Sequence, residues 1–183
     1  MSTRFTFMVG ERDTAYGRRE RCEKFASLLD ELRKDRIDVY PATFLFQPGH
    51  GHGGLPDRDI LKDMLGFERI PCPTRLDWEQ TDSVVDAFYW IGVDEAVRGN
   101  ELAANWNAPN HVRFTTSENV KSASLLVDAN MVDFDQPLVV EWNGNEKEYT
   151  LDAPSLRVLC ESIAKRMDPD LSYTLSLKIG TDE

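Results

Sequence analysis

The sequence predicts an α+β chain: a strand–helix–strand unit followed by an antiparallel β-sandwich-like domain with one crossing helix. Three observations carry this expectation. The first seventy residues alternate β-prone runs with helical periodicity. The remainder is mostly a series of short β-prone runs separated by turn residues. Composition and charge also change between the two parts.

Arg4-Phe-Thr-Phe-Met-Val9 is a short strand-like run that ends at the turn residues Gly10-Glu11-Arg12-Asp13. From Arg18 to Asp35, residues Cys22, Phe25, Leu28, Leu29 and Leu32 recur at spacings of three and four, which predicts an amphipathic helix with a charged wet face. Val39 to Phe46 reads as a buried strand. Pro41, which lacks a backbone donor, suggests an irregular start or an edge, and Pro48-Gly49 ends the run. Asp59 to Phe67 reads as a further short helix. Strand, helix, strand, helix is the pattern of a parallel sheet with crossovers.

Ile70-Pro-Cys-Pro73 favours an extended connector, and the expected boundary lies near 70–78, dividing the chain into 1–72 and 73–183. Beyond it, Asp82 to Val93 fits either period. The runs 111–116, 124–127, 138–142, 148–151 and 172–179 read as strands, with Asn143-Gly144-Asn145 as a hairpin turn. Between the last two, Leu156, Leu159, Cys160, Ile163 and Met167 line one face of a helix that Ser155 caps and Pro169 stops. Short strands with regular turns suggest an immunoglobulin-like sandwich.

With 183 residues, 41% hydrophobic and 29% charged, the chain has globular composition. No apolar run approaches the roughly 20 residues of a membrane span, and the amino-terminal residues do not read as a signal peptide. Cys22, Cys72 and Cys160 have no metal-binding spacing and read as reduced, buried thiols; together with the missing leader they suggest a cytoplasmic chain. The formal net charge of −11 argues against nucleic acid and anionic membranes as partners. It is uneven: residues 1–70 hold 12 basic and 12 acidic side chains, residues 71–183 hold 9 and 20.

Two loops carry candidate chemistry. Gly10-Glu11-Arg12-Asp13 follows the first strand, and Gln47-Pro-Gly-His-Gly-His-Gly-Gly54 follows the second. Both sit at carboxyl ends of strands, where open α/β sheets place their sites. An Asp beside a His there fixes the imidazole tautomer and stabilises the imidazolium, as in a Ser-His-Asp triad. The glycines around the His allow close approach.

Gly10–Asp13, the helix after it, and Phe46-Gln-Pro-Gly-His-Gly-His52 resemble the last two core strands of the α/β-hydrolase fold, over about residues 4–66. In that family the triad acid follows the penultimate strand and the His follows the last, often within Pro-Gly-x-Gly-His. The resemblance, nearest to esterase-like and prolyl-oligopeptidase-like hydrolases, therefore implies Asp13 as triad acid and His52 as general base. The tail with Trp78 and Tyr89-Trp90 is similar, less specifically, to the segment that follows some bacterial hydrolases. The family's nucleophile elbow, Gly-x-Ser-x-Gly, occurs nowhere in the 183 residues. The expectation is thus a carboxyl-terminal fragment or remnant of a serine hydrolase of ester or peptide bonds, unable alone to form an acyl-enzyme. The partner it implies is a second copy or the missing hydrolase half, joined through an exposed sheet edge.

Other readings stay open. Asp13 can simply cap the following helix, and His52 can be an ordinary loop residue. His50 and His52 could ligate a metal with Asp57, Asp59 or His111, but no third ligand comes at a diagnostic spacing, so no metal or cofactor is expected. Asp57-Arg58-Asp59 reads as a solvated helix start. Trp78, Trp90, Trp106 and Trp142 could form a sugar platform, though core aromatics are commoner. Asp133-Phe-Asp135 is a weak calcium signal. The alternative function is a non-catalytic sandwich that acts as an interaction or carbohydrate-contact module.

Overall fold

The computed structural model describes residues 4–34 and 41–181. Among these it is a mixed α+β chain with three α-helices and eleven strands, mostly sheet. It divides into two compact units, Met1–Ile70 and Pro71–Glu183.

In the first unit, β1 (Phe5–Gly10) and β2 (Ala42–Gln47) pair in parallel, from Phe5↔Ala42 to Gly10↔Gln47. Parallel neighbours need a crossover, and α1 (Arg18–Arg33) occupies that connection. Phe7 of β1 stacks on its register partner Phe44 at 5.0 Å between centroids and meets Phe25 of α1 at 5.3 Å. Each such pair contributes about 0.5–1.5 kcal/mol beyond its buried area. Of the apolar positions expected to bury this helix, only Leu29 is fully enclosed; Phe25, Leu28 and Leu32 stay exposed. The second helix, α2 (Asp57–Met64), begins two residues earlier than expected, at Pro56-Asp57. Its first-turn Asp57 and Asp59 favour that start by facing the positive end of the helix dipole. Asp35, Val39 and Tyr40, assigned from sequence to the ends of the helix and strand, lie outside the described residues.

The second unit contains β3 (Arg75–Glu79), β4 (Ala87–Phe88), β5 (Ile91–Gly92), β6 (Glu101–Ala108), β7 (His111–Thr116), β8 (Ser122–Val127), β9 (Leu138–Trp142) and β10 (Asn145–Tyr149). Helix α3 (Leu156–Arg166) and β11 (Leu175–Gly180) close it. One sheet has the order β10-β9-β7-β6-β3, the other β11-β8-β5-β4. Both contribute to one core that includes Leu76, Phe114 and Trp142 from the first and Ile91, Leu125 and Ile179 from the second. Alternation is clean: along β8 and β9 every second residue is buried. Trp90 lies fully buried in this core and donates its indole N–H to the Pro73 carbonyl at 2.8 Å.

Several expectations need correction. The sheets are not wholly antiparallel, because β7 and β9 run parallel. Strand β8 lies in the other sheet, so the chain reverses twice before it returns beside β7. Residues 82–93 form neither one helix nor one strand. Asp82 Oδ1 accepts from the backbone of Val84 and Val85, which makes a turn, and Tyr89 at φ 49° folds β4 back on β5. Cys160 is exposed rather than buried, while Cys22 and Cys72 are half-buried. Helix α3 keeps its Ser155 cap (Val158 N–H to Oγ, 3.4 Å), but Leu156, Cys160, Ile163 and Met167 face outward. Its inner side is set by Ser162, whose hydroxyl accepts the Tyr173 N–H at 3.0 Å. The Asn143-Gly144 hairpin joins β9 to β10, both residues at positive φ as such two-residue turns require.

Candidate functional site

The site arises where β1 and β2 end side by side. The Glu11 N–H donates to the Gln47 carbonyl at 3.0 Å and the Arg12 N–H to the His50 carbonyl at 2.8 Å, so main-chain pairing continues past the strands into both loops. Glu11 adds a clasp from its side chain, accepting the Gly49 N–H at 2.8 Å. Gly49 sits at φ 74°, where a side chain would be strained. Gly10 is required for a different reason: a Cβ there would fall 2.3 Å from the Gly51 oxygen.

This frame brings Asp13 and His52, 39 residues apart, into direct contact. His52 Nδ1 lies 2.9 Å from Asp13 Oδ2. The other carboxylate oxygen, Oδ1, accepts from Arg18 Nη1 at 2.9 Å. Asp13 is 5% exposed and His52 is 73% exposed. The hydrogen bond from His52 holds the Asp13 carboxyl below its ordinary value; burial pushes the other way, and Arg18 reinforces the lowering. An ionised carboxylate only accepts, so Nδ1 carries the proton in neutral His52 and Nε2 keeps its lone pair. The arrangement is a buried anion orienting an exposed base.

Asp13 does not cap α1. The residue at that position is Gly17, at φ 65°, with no side-chain cap. Arg18 and Glu11 were not singled out from sequence. Arg18 left a signal in its place as the first residue of the helix that follows the Asp13 loop, whereas the Glu11–Gly49 clasp depends on loop geometry that no local pattern encodes.

The remaining candidates fall elsewhere. Among the described residues, His50 and His52 form no metal-type cluster with Asp57 or Asp59; His111 instead groups with Glu141 and Glu146. Trp78, Trp90 and Trp142 are buried, so the four tryptophans make no common platform. Trp106 lines a cleft of about 800 Å³ with Asn107, Asn130, Met131 and Phe134. Asp133 Oδ1 accepts the Asp135 N–H at 3.0 Å in a local turn. No helix among the described residues is long and apolar enough to cross a membrane.

No protein-family model, curated protein or solved structure matches this chain.

Proposed function

We propose that the first unit is the acid- and base-bearing part of a serine hydrolase of the α/β-hydrolase type, acting on ester or peptide bonds. The observation that supports it is the 2.9 Å contact of His52 Nδ1 with Asp13 Oδ2 at the carboxyl ends of two adjacent parallel strands. In this reading Asp13 fixes the tautomer and stabilises the imidazolium. His52 Nε2 takes the nucleophile's proton and returns it to the leaving group. Arg18 holds the second carboxylate oxygen, so the carboxylate cannot swing away from His52. The nucleophile belongs to a companion segment, since the 183 residues contain no Gly-x-Ser-x-Gly. The second unit, in the same reading, is an immunoglobulin-like sandwich appended to the hydrolase part.

The test begins with the chain alone. Nitrophenyl acetate should give no acylation burst, and a covalent adduct on any serine of this chain overturns the division of labour. Joined to a companion segment that carries the nucleophile, it should turn over ester, and His52→Ala should lower that rate on the order of a thousandfold or more. Turnover indifferent to His52→Ala removes His52 from the chemistry.

A second reading, in which the second unit serves as a carbohydrate-contact module, is favoured by one feature. The Trp106 cleft combines an aromatic ring with the side chains of Asn107 and Asn130, and its size suits a small ligand. Glycan binding that survives His52→Ala but not Trp106→Ala distinguishes it.

A further inference from the structure

On the outward face of the five-stranded sheet, three strands bring together a set of groups with the chemistry of a metal site. His111 stands on β7, Glu141 on β9 and Glu146 on β10. Glu141 and Glu146 are direct cross-strand partners, and His111 lies diagonally across, two residues before Arg113, which pairs with Glu141. One ligand atom from each residue lies within 4.8 Å of the others.

We infer that His111, Glu141 and Glu146 form a binding site for a divalent transition-metal ion of the Zn²⁺ type. Four arguments support it. The first is distance. Ligands about 2.0–2.2 Å from a tetrahedral zinc stand roughly 3.3–3.5 Å apart. His111 Nε2 and Glu146 Oε1 are 3.9 Å apart and all three ligand atoms lie within 4.8 Å of one another, so a side-chain shift of up to about 1.5 Å closes the site. Glu146, 64% exposed, is free to make it.

The second argument is satisfaction. His111 Nε2 is shielded from solvent and has no hydrogen-bond partner among the described residues. A shielded ring nitrogen of this kind is missing an interaction partner. A cation gives it one and balances the facing Glu146 carboxylate, while Glu141 already has a counter-charge in Arg113.

The third is ligand type. One imidazole with two carboxylates suits a borderline ion, whereas Ca²⁺ and Mg²⁺ favour shells made wholly of oxygen. Three protein ligands leave a fourth position for water.

The fourth is support. Arg113 Nε donates to Glu141 Oε2 at 2.5 Å, which orients that carboxylate. The ligands also stand on paired strands rather than on a loop. The site is independent of the hydrolase reading, since it shares no residue with it.

The experiment is calorimetric titration of the whole chain with ZnCl₂ at neutral pH, beside His111→Ala and Glu146→Gln. The expected result is one site whose affinity falls about tenfold or more in each variant. Glu146→Gln changes an exposed side chain, so it remains informative if His111→Ala fails to fold. Co²⁺ provides a second readout and should shift the His111 imidazole resonances. Absence of Zn²⁺ binding, unchanged binding in Glu146→Gln, or Co²⁺ shifts confined to His50 and His52 each overturn the assignment.

Discussion

Gly10 and His50 approach so closely that a methyl group on Gly10 would lie 2.5 Å from the His50 carbonyl oxygen. The obstacle is main chain, which cannot rotate aside as a side chain does. Gly10→Ala should therefore separate the two loops and destabilise the first unit by about 1–3 kcal/mol, the range for forced overpacking. Chemical denaturation followed by Phe and Tyr signals measures the loss, and NMR should show the His52 Nδ1 proton leaving its hydrogen bond. A variant as stable as the parent, with that bond intact, shows that the loops have room after all.

Acid should weaken the fold through Asp13. Its carboxyl is held below the ordinary value in the folded chain, so the unfolded chain binds the proton more readily. The stabilisation is complete above about pH 4, the ordinary Asp range, and is lost as pH falls through the lower folded value. Asp82, lowered by the Val84 and Val85 amides, contributes in the same direction. Stability measured from pH 7 to 2 should decline less steeply in Asp13→Asn than in the parent. Equal slopes count against the Asp13–His52 bond in solution.

Asn110 should be the most sensitive polar residue of the second unit. It is buried, adopts φ 52°, and uses its amide to hold the loop before β9. Its Nδ2 donates to the Asp133 carbonyl at 2.7 Å and to the Gln136 carbonyl at 3.0 Å, and its Oδ1 accepts the Asp133 N–H at 2.8 Å. Asn110→Ala removes these bonds and puts alanine in the left-handed region, at a cost of roughly 2–4 kcal/mol. Urea denaturation checks this; a loss under about 0.5 kcal/mol, the size of an ordinary surface substitution, contradicts it.

Much of the architecture is legible because local rules and tertiary packing agree. Strands β7 and β9 follow period-two alternation, the Asn143-Gly144 turn accepts positive φ, and Ser155 caps α3. The misses have physical causes. Strand β6, Glu-Leu-Ala-Ala-Asn-Trp-Asn-Ala, has low intrinsic preference for sheet and is held by ladders to β3 and β7 on both sides. Strand β3 sets Leu76 and Trp78 inward between charged residues, a pattern too short to stand out. For α3, Leu156, Cys160, Ile163 and Met167, read as part of its inner face, point outward, while Leu159 is half-buried on the side where Ser162 anchors the helix to Tyr173. At the site, Asp13 and His52 were readable as residues following two β-prone runs. Glu141 and Glu146 flank the legible Asn143-Gly144 hairpin, but His111, 30 residues before Glu141, was not readable beside them, since only the parallel pairing of β7 with β9 brings it there.

The main-chain ladder that runs from β1 and β2 into their loops has a kinetic consequence. Folding alone has already removed most of the translational and rotational freedom that separates an acid from its base. In the proposed hydrolase reading, a nucleophile supplied by a companion segment would meet Asp13 and His52 as one reagent rather than two, with only a single relative orientation left to fix. Mutational drift acts on the same footing. Because backbone groups hold the loops together, side chains at their tips, such as Arg12, are free to change while the carboxylate and imidazole keep their distance.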